Sequence, residues 1–234
     1  MRQWHELLID AVNEERERLA SRRDVLAGGA KVVGAGAAAV AFAGMPRAAF
    51  AQDATPVLEV EQDFEDDLDV LNYALTLEHL EHAFYRDGID LFDFGADPFG
   101  VSINERLALI RDHEAAHVAT LTEVITQLGG EPVVEQQYDF GDAYTDPAAF
   151  LQTAQALENT GVSAYDGAGA AISDADLLTA AGTIVAVEGL HASYLNVLNG
   201  DPPAPEPFET PLSRDEVLDI AGGFIVGEAA TPAS

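Results

Sequence analysis

The sequence predicts an all-α protein, a four-helix bundle with one long crossover between its second and third helices and a short C-terminal helix. Four long segments repeat apolar residues at the period of an α-helix. Short connections join the first helix to the second and the third to the fourth, whereas about 17 residues (129–145) separate the second from the third. An extended chain covers about 3.3 Å per residue, so this connector can run the length of a bundle.

Start and stop signals bound the predicted helices. Gly129-Gly130 follows the second helix, and Asp146-Pro147 gives the third an N-cap followed by proline in the first turn. Ser213 and Glu216 have the spacing of a capping box, which predicts a short helix after a proline-rich connector. The predicted helices span, in chain order, about 63–86, 102–128, 147–172, 175–199 and 213–224.

The composition excludes several classes of function. The 234 residues suit one domain, and the absence of cysteine excludes disulfides, cysteine-ligated zinc, iron–sulfur clusters and thiol catalysis. With 41 acidic and 11 basic residues, the net charge of -30 argues against nucleic acid and anionic membrane surfaces as partners. Such a surface repels itself unless salt screens it. We therefore expect a protein from a high-salt organism, with calcium buffering by surface acids as the alternative.

The first 51 residues resemble a twin-arginine export signal. Arg22 and Arg23 precede an apolar stretch rich in glycine and alanine, and Ala49-Phe50-Ala51 fits the small-x-small rule for signal-peptidase cleavage. The resemblance implies export to the extracellular or cell-surface side of the cytoplasmic membrane, with membrane contact only through the signal; a retained anchor is the alternative. We expect cleavage after Ala51, a linker at 52–62, the bundle at 63–199, and a connector, short helix and tail at 200–234.

Two of the predicted helices carry a glutamate and a histidine three residues apart. Glu114 and His117 lie on the second helix, and Glu188 and His191 lie on the fourth. Three-residue spacing puts both side chains of a pair on one helix face. In each helix that face is the apolar stripe, so both pairs are expected to point into the core.

The other two helices each add a carboxylate to the predicted core. Glu158 lies on the apolar face of the third helix, and Glu78 continues the apolar stripe of the first, with Glu81 on an adjacent face. Buried carboxylates repel one another strongly unless they are protonated or surround cations. Two divalent ions would balance four carboxylates, and two histidines would complete their coordination. We therefore predict a dinuclear site with six ligands: Glu78, Glu114, His117, Glu158, Glu188 and His191.

Two of the helices contain motifs that resemble the ferritin-like superfamily. "LEHLEHAFY" (77–85) is similar to that family's first-helix motif, in which a ligand glutamate precedes a tyrosine by seven residues, and this favours Glu78, paired with Tyr85, over Glu81. "HEAAHVATLTEVITQLGG" (113–130) is similar to its second-helix pattern. The chain is most like the exported or desiccation-related ferritin-like domain proteins. The resemblance implies a ferritin-like bundle with a di-iron or di-manganese centre.

Several neighbouring residues are open to two interpretations. Glu81 is either a further ligand or partner of a ligand, or an ordinary interhelical residue. Tyr85 and Tyr165 are either core aromatics or hydroxyl donors to ligand carboxylates. The flanking histidines His79, His82 and His113 are expected outside the ligand set, with His113 facing away from the apolar stripe. Tyr138, Phe140 and Tyr144 are expected to pin the crossover to the bundle.

Three functions fit this pattern. The first is an exported dinuclear protein with iron or manganese, or with zinc, that reacts with O₂ or peroxide and protects against oxidative stress, as a peroxidase, catalase or ferroxidase would. The second is non-catalytic metal binding or protection during desiccation. The third is iron storage, which requires a closed shell of many subunits. The chain has no cysteine for an electron relay of its own, and its sequence leaves the metal, the electron donor and a homo-oligomeric assembly open.

Overall fold

The computed structural model describes residue 60 and residues 63–226, and this part of the chain forms a helical bundle. Its helices are α1 (Asp67–Gly88), α2 (Ile103–Gln127), α3 (Pro147–Gly169), α4 (Ala175–Asn199) and the short α5 (Arg214–Ala221). Short 3₁₀ turns lie at Ile89–Leu91, Gly141–Tyr144 and Gly222–Phe224. Over the described residues there are no strands, only isolated bridges between Ala96 and Ser102 and between Tyr138 and Ile225. The predicted fold class is confirmed.

Part of the predicted organisation falls outside the described residues. This holds for the export signal with Arg22 and Arg23, for the cleavage point after Ala51, for the linker at 52–62 apart from residue 60, and for residues 227–234. The predicted division of the chain into these segments therefore stays a prediction. No helix in the described part of the chain is both long enough and apolar enough to cross a membrane.

Capping side chains set the helix boundaries. Asp66 Oδ1 accepts a hydrogen bond from the amide of Asp69 at 2.9 Å, so α1 begins at Asp67, later than the predicted start near residue 63. Asp146 caps α3 as predicted, and Ser213 and Glu216 form the predicted capping box of α5. Helix α3 ends at Gly169 rather than near residue 172, because the chain then tightens into hydrogen bonds between residues three apart.

Hydrogen bonds at the helix ends fix the direction of the helices. The amide of Ser173 donates to Asp67 Oδ1 at 2.8 Å, which places the end of α3 beside the start of α1. The hydroxyl of Tyr144 donates to the carbonyl of Phe84 at 2.6 Å, which places the start of α3 beside the end of α1. Helices α1 and α3 are therefore antiparallel. Helices α1 and α2 pack as one pair and α3 and α4 as the other, and the crossover joins α2 to α3.

Aromatic side chains pin the crossover to the bundle, as predicted. The ring of Phe84 on α1 lies 5.2 Å from that of Phe140, 5.5 Å from Tyr144 and 4.5 Å from Phe150, measured between centroids. Tyr138 stacks on Phe140 at 5.7 Å. Such pairs add to the free energy of burial of each ring. The end of α1, the crossover and the start of α3 therefore form one packed unit.

Replacing Phe84 tests this packing. Because Phe84 is fully buried at the centre of the aromatic cluster, Phe84→Ala should lower the free energy of unfolding by about 3–5 kcal/mol. Phe99→Ala is the matched control, since Phe99 is 80% exposed, and it should unfold like the wild type. Denaturant unfolding in molar salt measures both. Equal losses in the two variants would contradict the proposed role of the cluster.

Candidate metal centre

Each of the four long helices places one carboxylate at the same level of the bundle core. These are Glu78 of α1, Glu114 of α2, Glu158 of α3 and Glu188 of α4, and all four are 0% exposed. The helical period makes this possible, because each glutamate continues an apolar stripe that faces the other helices. The structure thus brings together carboxylates that lie far apart in the sequence.

The first ligand group forms around the imidazole of His117. Its Nδ1 atom lies 3.1 Å from each of three carboxylate oxygens, Glu78 Oε2, Glu114 Oε2 and Glu188 Oε1. A single ring nitrogen carries at most one hydrogen and cannot donate to three acceptors well. Convergence of one nitrogen and three oxygens on a common point is instead typical of a cation site. His117 and these three glutamates each offer one ligand atom, and the four atoms all lie within 4.8 Å of one another.

The second ligand group forms around His191. Its Nδ1 atom lies 3.0 Å from Glu114 Oε1, 3.1 Å from Glu158 Oε2 and 3.9 Å from Glu188 Oε2. Glu114 and Glu188 therefore belong to both groups, and each presents one oxygen to each histidine. All six residues predicted as ligands from the sequence meet in this Glu/His cluster.

Two tyrosine hydroxyls hold the outer carboxylates in place. Tyr85 donates to Glu158 Oε1 at 2.6 Å, and Tyr165 donates to Glu78 Oε1 at 2.5 Å. Each tyrosine follows the glutamate of its own helix by seven residues and bonds the glutamate of the opposite helix. The two tyrosines are thus hydroxyl donors, one of the two interpretations of the sequence. The pair α1–α2 and the pair α3–α4 are related by an approximate two-fold axis at the site.

Glu81 departs from this two-fold arrangement. It follows Glu78 by three residues, and the equivalent position after Glu158 is Gly161. A Cβ atom added at Gly161 would lie 2.9 Å from Glu81 Oε1 and 3.7 Å from Glu188 Oε2. The carboxylate of Glu81, 4% exposed, therefore occupies space that a side chain at 161 would fill. Glu81 belongs to neither ligand group but lies beside them.

His113 lies outside both ligand groups, as predicted, but its direction differs from the prediction. It was expected to face away from the apolar stripe, and that expectation is wrong: its Nδ1 atom is 2.9 Å from His191 Nε2, and the two rings stack at 5.2 Å. The missed signal is the four-residue spacing between His113 and His117, which puts both on one side of α2. His79 bonds the carbonyl of Val133 in the crossover at 3.3 Å and is in neither ligand group; His82 is also outside both groups.

Residues 66–201 match the profile of a protein family described as "Ferritin-like domain". The chain belongs to this ferritin-like family. The matched residues run from the N-cap of α1 to just beyond α4, so the ferritin-like domain includes the whole Glu/His cluster. A comparison with curated proteins found no match. The likeness to desiccation-related proteins in particular stays a prediction.

The electrostatics of the ferritin-like domain favour a bound cation. Burial raises the pKa of Glu78 to about 7 and that of Glu188 well above its ordinary value. Burial acts in the same direction on Glu114, but the imidazoles of His117 and His191 outweigh it and lower the pKa of Glu114. Glu114 Oε1 and both carboxylate oxygens of Glu188 lie 3.0 to 3.9 Å from an imidazole nitrogen, but none of these contacts has the geometry of a hydrogen bond. Unpaired buried acceptors are costly, and a metal ion bound between the two groups would pair them.

Apolar side chains exclude water from the part of the core that lies beside the Glu/His cluster. A cavity of about 30 Å³ is lined in part by Tyr165, whose hydroxyl bonds Glu78. Its walls are almost entirely apolar and include Leu77, Leu121, Val124 and Ile184. An apolar cavity of this size tends to stay empty of water. The charges of the cluster therefore act on one another in a medium of low dielectric constant.

The stability of the metal-free chain should fall as the pH rises from about 5 to 8. The raised pKa values of Glu78, Glu81 and Glu188 mean that the folded state holds their protons, and this stabilisation is lost as the pH passes the folded pKa. The raised pKa values of His117 and His191 act in the same direction. His79 and His82 oppose them in this pH range, because burial lowers their pKa values, whereas the lowered pKa of Glu114 affects stability only at more acidic pH.

Thermal unfolding at constant salt measures the slope of stability against pH. Glu78→Gln should make it shallower, and saturating metal should reverse it, because metal and protons compete for the same oxygens. A metal-free chain whose melting temperature rises between pH 6 and 8 would contradict the protonation of these carboxylates.

Filling the space at Gly161 should move Glu81 without unfolding the domain. The added Cβ of Gly161→Ala comes too close only to the end of the Glu81 side chain, because Glu188 Oε2 lies at an ordinary contact distance of 3.7 Å, and alanine favours the helix by about 1 kcal/mol. Gly182→Ala on α4 is the control, since a Cβ there meets nothing within 4 Å. We expect both variants to melt at or above the wild-type temperature, and only Gly161→Ala to change the EPR spectrum of bound Mn²⁺. A wild-type spectrum for Gly161→Ala would mean that Glu81 does not influence the site.

Proposed function

We propose that this chain is an exported ferritin-like protein that holds two iron or manganese ions and reacts with O₂ or peroxide in protection against oxidative stress. The observation that carries the proposal is that Glu114 and Glu188 each face both histidines. Carboxylates shared between two ligand groups suit two ions side by side, which is the arrangement of dinuclear ferritin-like bundles.

The donor set supports this choice of metals. It consists of carboxylate oxygens and imidazole nitrogens without sulfur, which suits iron and manganese and also zinc. Four carboxylates balance the charge of two divalent ions, and Glu81, whose pKa burial raises well above its ordinary value, adds no charge while it is protonated. When bound, the metals supply and accept the electrons that reduction of O₂ or peroxide requires.

The side chains of the chain itself position the ligands and exclude water. Tyr85 and Tyr165 each hold one oxygen of an outer carboxylate, which leaves the second oxygen directed at a histidine. His113 bonds Nε2 of His191 and so fixes the ring that presents Nδ1 to the cluster. The four ligand carboxylates are fully buried, which separates them from bulk water.

Export supports a role outside the cytoplasm. The predicted signal at residues 1–51 is of the twin-arginine type, and that route is known for carrying folded proteins. A chain that folds first is able to acquire its metals before it leaves the cytoplasm. From the acidic composition we also propose that the protein works in high salt, where repulsion between its surface charges is screened.

Metal counts in ligand variants test the shared carboxylates. We expect about two ions per chain in the wild type, about one in His117→Ala, which alters one group, and almost none in Glu188→Ala, which alters both. Glu123→Ala is the control, because Glu123 is an exposed acid on α2, and it should keep the wild-type count. Elemental analysis after removal of loosely bound metal gives the numbers.

Two results would count against the proposal in different ways. Equal metal loss in Glu188→Ala and His117→Ala would contradict the sharing. A full complement of metal with no consumption of peroxide or O₂ would remove the catalytic part and leave non-catalytic metal binding.

A further inference from the structure

A pocket opens from the surface onto one of the ligand groups. It has a volume of about 290 Å³ and lies between α2, α4 and the loop that joins α1 to α2. His191, 5% exposed, is part of its lining. Small-molecule sites begin at roughly 300 Å³, so the pocket suits a single small ring. It is therefore a route by which a molecule larger than peroxide is able to reach the edge of the site.

Two exposed apolar side chains flank this pocket. Phe99 of the loop is 80% exposed and Leu190 of α4 is 69% exposed, and both line it. Leu109 and Ile110 of α2 add apolar surface deeper in. Large apolar side chains grouped at a concave surface are typical of ligand contacts. Here they would pack against the faces and edges of a flat apolar ring.

A donor and an acceptor lie side by side in the same pocket. Asp97 Oδ1 accepts hydrogen bonds from the amides of Phe99 at 2.8 Å and Val101 at 2.9 Å, which fixes the loop. Asp97 Oδ2 is 3.8 Å from Arg106 Nε and 3.5 Å from the hydroxyl of Tyr194. Both distances are at or beyond the limit of a hydrogen bond. A ligand hydroxyl is therefore able to accept from Arg106 and donate to Asp97, which is itself 6% exposed.

The charges of the pocket favour a neutral ligand. The charges of Arg106 and Asp97 balance each other, so this pair adds no net charge to the pocket. The net charge of -30 on the chain disfavours anions, although salt confines this effect to short range. A neutral molecule with an aromatic ring and hydroxyl groups fits both the apolar walls and the polar pair.

We propose that this pocket binds a small neutral aromatic diol, of the hydroquinone class, as the reductant of the protein. The proposal rests on the proposed function, because it assigns the electron donor for the reduction of peroxide. The sequence has no cysteine to ligate an electron-transfer centre, so electrons come from outside the chain. His191 joins the pocket to the Glu/His cluster, which places the bound ring next to a ligand of the site.

The reaction balances in atoms and electrons. The diol loses two electrons and the two protons of its O–H groups, and it becomes a quinone. Peroxide gains two electrons and two protons, its O–O bond breaks, and two water molecules form. One quinone is therefore produced for each peroxide consumed.

Binding of hydroquinone to the full chain tests the site, with or without metal. Isothermal titration in molar salt under argon should show binding to the wild type and a loss of about tenfold or more in Arg106→Gln and Leu190→Trp. Arg111→Gln and Leu178→Trp are the matched controls, since Arg111 is on the same helix and pairs with Asp112, and Leu178 is an exposed residue of α4 outside the pocket. The controls should keep the wild-type affinity. 1,4-Dimethoxybenzene should bind more weakly, because it cannot donate to Asp97.

Turnover of the metal-loaded chain tests the role as reductant. Quinone and peroxide should change one for one, and Arg106→Gln should raise the KM for hydroquinone at an unchanged metal count. The proposal is overturned if the wild type does not bind hydroquinone, if the pocket variants bind like their controls, or if bound hydroquinone is not oxidised by the metal-loaded chain with peroxide. If the chain retains no metal after loading but still binds hydroquinone through Arg106, the binding site is supported and the proposed function is contradicted.

Discussion

The burial of four carboxylates at one level of the bundle is the constraint on which the rest of the structure depends. Charges of one sign in a dry core oppose folding unless protons or cations neutralise them. Two clusters of buried apolar side chains offset this cost. One contains Phe84, Phe150 and Leu107, and the other contains Leu75, Leu121 and Ile125. The tyrosine hydroxyls then decide which oxygen of each outer carboxylate faces the histidines. The stability of the domain therefore comes from the apolar packing around the Glu/His cluster and not from the cluster itself.

Periodicity and spacing predicted much of the fold and of the cluster. Helix faces follow from the repeat of 3.6 residues, so the inward direction of Glu114 and Glu188 needed no knowledge of the partner helices. The position of the Glu81 carboxylate on α1 depends on the absence of a side chain at Gly161 on α3. No local sequence pattern reveals such a contact between helices. The pocket depends on a loop that Asp97 holds through two backbone amides, with Gly95 and Gly100 at positive φ. Such contacts arise only when distant segments meet.

Two of the four arginines of the described bundle join separate segments. Arg86 at the end of α1 bonds Glu135 of the crossover at 2.8 Å, and Arg214 of α5 bonds Asp69 of α1 at 2.7 Å. Arg214 also covers the ring of Phe64 at 4.1 Å. The exposed pair of Arg86 and Glu135 contributes at most about 1 kcal/mol, and less in high salt. The ion pairs of Arg86 and Arg214 determine which acidic segments pack together, while buried apolar surface supplies most of the stability.

The approximate two-fold axis has a consequence for how such a site is able to evolve. Each helical hairpin contributes a glutamate–tyrosine helix and a glutamate–histidine helix, so the domain resembles a dimer contained in one polypeptide. A true dimer of identical hairpins would carry the same residue at the positions of Glu81 and Gly161. Two glutamates would collide there, since even a Cβ at 161 comes within 2.9 Å of Glu81 Oε1, and two glycines would remove the extra carboxylate. The covalent crossover lets the halves differ, so that an asymmetric site arises from a nearly symmetric fold.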